Sequence, residues 1–510
     1  MHSTNQIASF DKINNTYWVY PLLVITAFLY LSVFSFATSP HYWDYISDNG
    51  TFIMLGKLFL DGRIPYLEYF DHKGPILIFI EALGLSLSSD DRTGIFILQI
   101  AQLSITLAFL YNAARCLLST INSLTVLLIA LVFFTFTIEG GNLSEEHSLP
   151  FISLTLWLTI QFWLSTPNRV KALHLLLIGI CGGILFWLRL NNMGIVCACT
   201  LFIFIVTCKN KDWKGVRKIV LYFTLGFLLI TVPIIVYFRI HNALYELIYA
   251  SFIFNLKYVD TSDTGSLFGS LIGTVIYIFK CWTPFIVLAA GTFLFYRKHK
   301  DYKVILLSAL LFVFGLITTH TGAAYHHYMT LNIPILAFGC ILGLYAITQN
   351  SEKKKLSWII FLIVFIPASW ICISRYITLE KSETPPYYIE RARDIASKIP
   401  ENERNSVYPY MVLSKFLPSA GLMPYNGIKY FTLQEWHARH EKKILDEINE
   451  MMETHPPLWI ITEYRDQSKN TRFLEILDEK YIPYYRNHIF ELFRLNDGTV
   501  KPLEINDSIQ

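Results

Sequence analysis

Eleven apolar runs, each carrying at most one charge, dominate what this chain can fold into. The first, residues 18–37 (WVYPLLVITAFLYLSVFSFA), has none. The others lie near 94–112, 119–138, 148–166, 172–188, 192–208, 219–239, 282–296, 304–319, 328–348 and 356–374. About 20 apolar residues in an α-helix cross the hydrocarbon core of a bilayer. A helix suits that solvent because it satisfies its backbone polar groups within itself. Composition agrees: 16% of the 510 residues are charged and 53% are hydrophobic, whereas a soluble domain carries about 25% charged residues. The first run is too long for the core of a signal peptide and others follow it, so it reads as an uncleaved helix.

Positive charge sets the expected sidedness, because Lys and Arg concentrate in loops that stay in the cytoplasm. Five short loops carry it: 113–118 with Arg115; 167–171 with Arg169 and Lys171; 209–218 with Lys209, Lys211, Lys214, Arg217 and Lys218; 297–303 with Arg297, Lys298, Lys300 and Lys303; and the three lysines of 353–355. With all five inside, the runs predict eleven crossings, a cytoplasmic N-terminus and an extracytoplasmic C-terminus. Two shorter apolar segments, 75–88 and 266–280, would break that parity as spans and read as interfacial or half-inserted helices. No internal repeat is visible, which weighs against the inverted-repeat plan of many transporters.

Composition changes sharply after residue 375. Residues 376–510 are rich in Glu, Lys, Arg, Asn and Tyr and long enough for a small domain. Helical spacing of Ile444, Leu445, Ile448, Met451 and Met452 predicts a helix over 440–454. Residues 457–462 and 489–494 read as strands and 471–481 as a helix. The expected organisation is a membrane region, 1–375, followed by a compact extracytoplasmic α/β or α+β domain, 376–510, without a catalytic motif of its own. The eight cysteines lie in or beside apolar runs without metal-type spacing, as small buried hydrophobes do.

The topology puts 38–75, 139–147, 189–192, 240–265, 320–327 and the C-terminal region on one side, together with most of the polar chemistry. The first of these loops carries Asp44, Asp48, Asp61, Arg63, Glu68, Asp71, His72 and Lys73, more charge than a linker beside a membrane needs. Residues 52–60 are apolar enough for a short interfacial helix, and Asp48 just ahead of it can be a helix cap or a functional acid. Lys73 can snorkel to the interface or serve as a point charge for a lipid phosphate. Gly74-Pro75 suits a sharp turn into a helix.

The second loop, EGGNLSEEHSLP, holds Glu139, Glu145, Glu146 and His147, which can cap the following helix or act in chemistry. Arg189, alone between two apolar runs and away from the cytoplasmic clusters, points to an anion or to snorkelling. HTGAAYHHY at 320–328 brings His320, His326 and His327 beside Tyr325 and Tyr328. Those histidines could ligate a divalent metal, but no further ligand is evident and none is assigned. Acids and cations at one membrane face suit chemistry on a phosphate-linked lipid, with a carboxylate taking the proton of an incoming nucleophile.

The stretch from Asp48 through DGRIPYLEYFDHKGP, then GGNLSEEHSLPF, RLNNMG and YHHY, resembles bacterial members of the glycosyltransferase family 39-like group. These are GT-C fold enzymes related to protein mannosyltransferases and lipid A aminoarabinose transferases. The resemblance runs over roughly residues 15–375 and does not reach the C-terminal region. It implies a polytopic α-helical membrane protein of GT-C-like fold that transfers a sugar, with inversion, from a polyprenyl-phosphate donor to an acceptor hydroxyl in cell-envelope glycan or lipid modification. By resemblance Asp48 matches a general base, Lys73 and Arg189 match donor-phosphate contacts, and Glu145 or Glu146 matches the acid of the second loop. Arg63 joins the expected phosphate contacts. Asp44, His72, Tyr325, His326 and His327 are the other expected substrate contacts. Where relatives often carry an arginine or a glycine-tyrosine pair before the HY motif, this chain has Ala323-Ala324, so no cation role carries over to that loop.

No metal or other cofactor is needed on this reading, since two cations can neutralise a monophosphate. The expected partners are the donor lipid, membrane lipid and a lipid, glycan or protein acceptor, with no nucleic acid. The resemblance implies a bacterial inner membrane. The alternatives are a flippase for lipid-linked sugars, whose charges should lie within spans, and a polysaccharide polymerase or ligase, which typically has a large arginine-rich late loop.

Overall fold

The computed structural model describes residues 17–40, 47–166, 168–261, 282–319, 325–349, 354–380, 387–496 and 498. A helix occupies each of the eleven apolar runs: Val19–Phe34, Thr93–Arg115, Thr120–Thr135, Ser144–Leu164, Ala172–Leu188, Gly194–Lys209, Trp213–Ile240, Thr283–His299, Tyr302–Thr319, Ile333–Thr348 and Lys354–Glu380. Among the described residues, six helical stretches are long and apolar enough to cross a membrane, including Thr93–Arg115, Trp213–Ile240 and Lys355–Ile377. The last turns Ile363 (65% exposed), Ile366 (64%) and Trp370 (71%) outward. Apolar surface of that extent has no place in water and is the face an integral membrane protein gives to lipid.

The chain separates into two compact units, one formed by 1–35, 97–236 and 262–381, the other by 36–96, 237–261 and 382–510. The first unit is a helical bundle. Its helices approach closely where side chains vanish: a Cβ at Gly291 would fall 2.1 Å from the carbonyl oxygen of Gly339, and one at Gly339 would fall 2.6 Å from the backbone nitrogen of Leu288. Small residues at such a crossing let two membrane helices pack backbone to backbone, where dispersion replaces the missing hydrophobic drive. Aromatic pairs fill wider gaps, among them Tyr30 stacked on Phe134 with ring centroids 5.5 Å apart.

The second unit is built from the helices Ser47–Leu60 and Pro75–Leu85, the helical segments at 244–248, 249–253 and 254–261, and the C-terminal region. Helix Pro75–Leu85 has 11 residues and so rises only about 16 Å, half of a hydrocarbon core. It is too short to cross. The segment 266–280 lies outside the described residues. Helix Ser47–Leu60 forms as the apolar run predicts, but Phe52, Ile53, Met54, Leu55 and Leu58 are all buried. Its apolar character therefore comes from packing within the unit rather than from an interfacial position. A Cβ at Gly56 would meet the Cβ of Glu81 at 2.7 Å, so the short helices touch where Gly56 leaves room.

Helix, strand, helix and strand appear in the C-terminal region where the pattern predicts them: Lys443–Thr454, Trp459–Thr462, Thr471–Lys480 and Glu491–Leu495. Two further strands and the helices Tyr387–Ser397, Phe416–Ala420 and Gln434–His440 accompany them. The four strands β1 (Val407–Tyr410), β2 (Trp459–Thr462), β3 (Tyr481–Arg486) and β4 (Glu491–Leu495) lie in the order β1-β2-β4-β3. β1 pairs parallel to β2, Val407 opposite Trp459, while β4 is antiparallel to both neighbours. Both central strands bury Trp459, Ile460, Ile461, Leu492 and Phe493.

Candidate functional site

In the second unit Asp48, Asp71 and Lys73 of the first loop lie together at the turn that opens helix Pro75–Leu85. The helix with Asp48 starts at Ser47, two residues earlier than a cap at Asp48 would require, so this acid sits inside the first turn, half-buried. There it gains from the partial positive charge of a helix N-terminus. Asp71 is 2% exposed. Its Oδ1 accepts a hydrogen bond from the Lys73 backbone N–H at 2.8 Å and stands 4.0 Å from Lys73 Nζ. Burial drives the Asp71 carboxyl above its usual range, Lys73 pulls it back, and the negative charge of Asp48 pushes it up again. Asp48, Asp71 and Lys73 thus form one electrostatic group, with the lysine ammonium 4.9 Å from the centre of the Phe52 ring.

The backbone of the turn is held from several sides. Tyr66, itself at φ 66°, donates its hydroxyl to the Lys73 carbonyl at 2.7 Å. Asn255 donates to the His72 carbonyl at 2.8 Å. Phe70 N–H donates to the Lys429 carbonyl at 2.8 Å. Arg63 is buried, with Asp61 Oδ2 at 3.1 Å and the carbonyls of Pro424 and Tyr425 at 3.0 and 3.4 Å. That guanidinium therefore joins the first loop to the C-terminal region. The His72 ring lies 5.5 Å from the Trp436 ring and 6.1 Å from that of His437. Asp44 lies outside the described residues.

The first unit gathers the other predicted residues into a chain of polar contacts. Helix Ala172–Leu188 stops at Arg189, whose extended backbone leads into a short 3₁₀ turn, Leu190–Met193. At this break the guanidinium pairs with Glu145, donates to the Tyr328 hydroxyl at 2.9 Å and lies 4.5 Å above the Tyr328 ring. His327 packs edge-on against Tyr328, centroids 4.5 Å apart, and its Nδ1 hydrogen-bonds Glu139 Oε2 at 2.6 Å. Tyr325 stacks on His327 at 5.5 Å. The backbone of His326 begins the short 3₁₀ segment His326–Asn332, and His320 lies outside the described residues.

Glu146 faces elsewhere. Its carboxylate accepts from Gln99 Nε2 at 2.9 Å and from the Asn142 backbone N–H at 2.8 Å, a reach backward that holds the start of helix Ser144–Leu164 as a capping box does. The turn it holds is unusual: Glu139, Gly140, Gly141 and Asn142 all have positive φ, at 42°, 85°, 83° and 59°. A Cβ at Gly141 would strike Ser35 Oγ at 2.3 Å, so both conformation and space call for glycine there.

Sequence reading passed over Asp71 and Glu139 as site residues, and His437 altogether. Asp71 carried a signal, an acid two residues before the lysine. Glu139 meets His327 across 188 residues, a pairing that no local pattern announces.

Residues 72–237 match the family model described as dolichyl-phosphate-mannose-protein mannosyltransferase. No curated protein matches the sequence at a significant level. Among solved structures, ArnT from Cupriavidus metallidurans bound to undecaprenyl phosphate superposes with a TM-score of 0.66 at 13% identity, covering 96% of this chain and 100% of that one. The same protein in its apo state gives 0.59 at 13% identity, over 96% and 99%. The Archaeoglobus fulgidus oligosaccharyltransferase tethered to an acceptor peptide gives 0.50 at 11% identity, over 96% and 75%. At such identities the likeness fixes architecture: the chain has the GT-C fold.

Proposed function

We propose that this integral membrane protein is a glycosyltransferase that moves a sugar from a polyprenyl-phosphate donor to an acceptor hydroxyl on the extracytoplasmic face, with inversion. One observation carries the proposal: a half-buried acid, a buried acid and a lysine, Asp48, Asp71 and Lys73, share one charge cluster at a helix entrance in a chain of GT-C fold. The undecaprenyl phosphate bound by the Cupriavidus structure supports the donor class, and the matched family description supports sugar transfer from a lipid phosphate.

In the proposed reaction the acceptor oxygen attacks the anomeric carbon as the bond from that carbon to the phosphate oxygen breaks. Asp48 takes the acceptor proton as general base, a contribution worth roughly 10²–10⁴-fold in enzymes. The polyprenyl phosphate leaves as an anion, and Lys73 offsets its growing charge, a kind of electrostatic help that commonly supplies several kcal/mol. A monophosphate needs no metal on this scheme. Glu145 and Tyr328 hold Arg189 in one orientation, Glu146 shapes the neighbouring turn, and Arg63 anchors the first loop. Residues 1–375 supply the membrane-embedded catalytic region and 376–510 its extracytoplasmic part, in a bacterial inner membrane.

The test uses purified protein in detergent with lipid extract from its source, following release of polyprenyl phosphate from a labelled lipid-linked sugar. Acceptor-dependent release is expected from the wild type, with a loss of about 10²-fold or more in Asp48→Asn. Unchanged release by that variant would remove the general base. Sugar-lipid movement across vesicles that survives the substitution, without release, would instead identify a flippase.

A further inference from the structure

Four aromatic rings from three separate segments of the second unit meet beside Lys73. His72 comes from the first loop and Phe254 from the helical stretch after 249–253. Trp436 and His440 come from the C-terminal helix Gln434–His440. The indole of Trp436 lies 5.5 Å from the His72 ring and 4.9 Å from that of His440, the latter nearly perpendicular at 75°. Phe254 lies 6.1 Å from His72 and 6.0 Å, at 90°, from His440. Trp436, His72 and His440 are each only half-buried, so this cluster presents ring surface rather than forming a closed core.

Beneath it, His437 is 1% exposed and packs edge-on against Phe70 at 5.2 Å and Trp436 at 5.1 Å. Burial and the nearby Lys73 push its imidazole down to about 3, so it stays neutral and leaves Lys73 as the local positive charge. Helix Gln434–His440 is fixed from behind. Gln434 donates to the Pro409 carbonyl at 2.7 Å, and Glu441 pairs with Lys257 and accepts from the Tyr249 hydroxyl at 2.9 Å.

A half-buried indole flanked by two imidazole rings and set next to a cation matches one chemistry well. A sugar ring has an apolar C–H face that lies on an aromatic plane and hydroxyls that bond at its edge. A phosphate attached to that ring would lie toward Lys73. We propose that Trp436, with His72 and His440, forms the subsite for the sugar ring of the donor, so that the C-terminal region selects the sugar while the first loop takes its phosphate. This rests on the donor reading given above. It makes Trp436 a specificity residue contributed by a part of the chain that carries no motif for transfer.

The experiment measures binding to the full-length protein in detergent micelles, with bare undecaprenyl phosphate and with undecaprenyl phosphates bearing glucose, galactose, mannose or arabinose. The wild type is expected to bind at least one sugar-bearing lipid more tightly than the bare lipid. Trp436→Ala should remove about tenfold of that preference while leaving the bare lipid unchanged. Trp436→Phe should keep most of it, and His440→Ala, at the rim, should lose part of it even if the alanine at 436 disturbs folding. Lys73→Ala should weaken every lipid alike. Equal loss of bare and sugar-bearing lipid in the Trp436 variants, an undiminished preference, or no preference in the wild type would each overturn the subsite. Failure of the wild type to bind any of these lipids would overturn the donor reading, and the subsite with it.

Discussion

The loop around Lys73 and the loop around Glu145 are both acidic, both precede a helix, and differ in how their charge is balanced. In the second loop every acid has a close partner: Glu145 with Arg189, Glu146 with Gln99 and the Asn142 N–H, Glu139 with His327. In the first loop Asp71 is buried, stands 4.0 Å from the Lys73 ammonium and has its carboxyl pushed upward. One loop is a closed polar network that sets the direction of an arginine. The other keeps charge that is only partly compensated, the condition under which a group responds to a ligand. Similar composition thus produces a brace in one place and a partly compensated charge cluster in the other.

That contrast can be broken by substitution, beginning with the largest effect. Glu145→Ala leaves the Arg189 guanidinium without its carboxylate in a largely buried setting, which costs about 3–5 kcal/mol when a buried pair loses one partner. Thermal unfolding in detergent should show a fall in midpoint, and a variant as stable as the wild type would mean that the second loop is not a brace.

An intermediate effect comes from His437. Its folded-state pKa, about 3, lies below the ordinary 6.5. Between those values the unfolded chain binds more protons, so stability rises with pH through this window and is lost on acidification below about 6.5. His437→Phe should remove this term, which amounts to about 2–3 kcal/mol between pH 6.5 and 4.5. Unfolding midpoints at the two pH values check it, and parallel pH profiles for both proteins would refute it.

Asp71→Asn gives the smallest shift and the opposite sign to Glu145→Ala. A carboxyl raised by burial destabilises the fold once it ionises, so wild-type stability falls as pH rises from about 3.8 through the elevated pKa. The amide keeps an oxygen for the Lys73 N–H and has no proton to lose. The variant should therefore match or exceed the wild-type midpoint at pH 7, while sugar transfer falls. A clear loss of stability instead would make Asp71 a second brace.

The helices were legible because lipid imposes a strict code: each of the eleven apolar runs carries a helix. Amphipathic spacing in the C-terminal region was equally plain, as at Ile444 and Ile448, both buried. β1 and β3 escaped notice because they contain Pro409 and Pro483, residues that argue against a strand. The candidate residues were visible as types but not as partners. Arg189 and Glu145 lie 44 positions apart, and nothing local separates Glu145, turned to the arginine, from Glu146, turned to a backbone N–H. Helix Gln434–His440 carried no motif, so its approach to His72 depends on long-range packing alone.

The four consecutive left-handed residues at 139–142 bear on how sidedness can be mapped. Surface loops are ordinarily where a reporter tag is spliced into a membrane protein, since they tolerate insertions. Here the turn has no slack: Glu139 is tied to His327, Asn142 to Glu146, and Gly141 lies against Ser35. A tag placed between them would register the collapse of a polar network and say nothing of which compartment the loop faces. Gly421 is exposed and a Cβ there would meet nothing within 4 Å, but its φ of 67° is left-handed, so a topology reporter spliced there should keep a glycine at the junction.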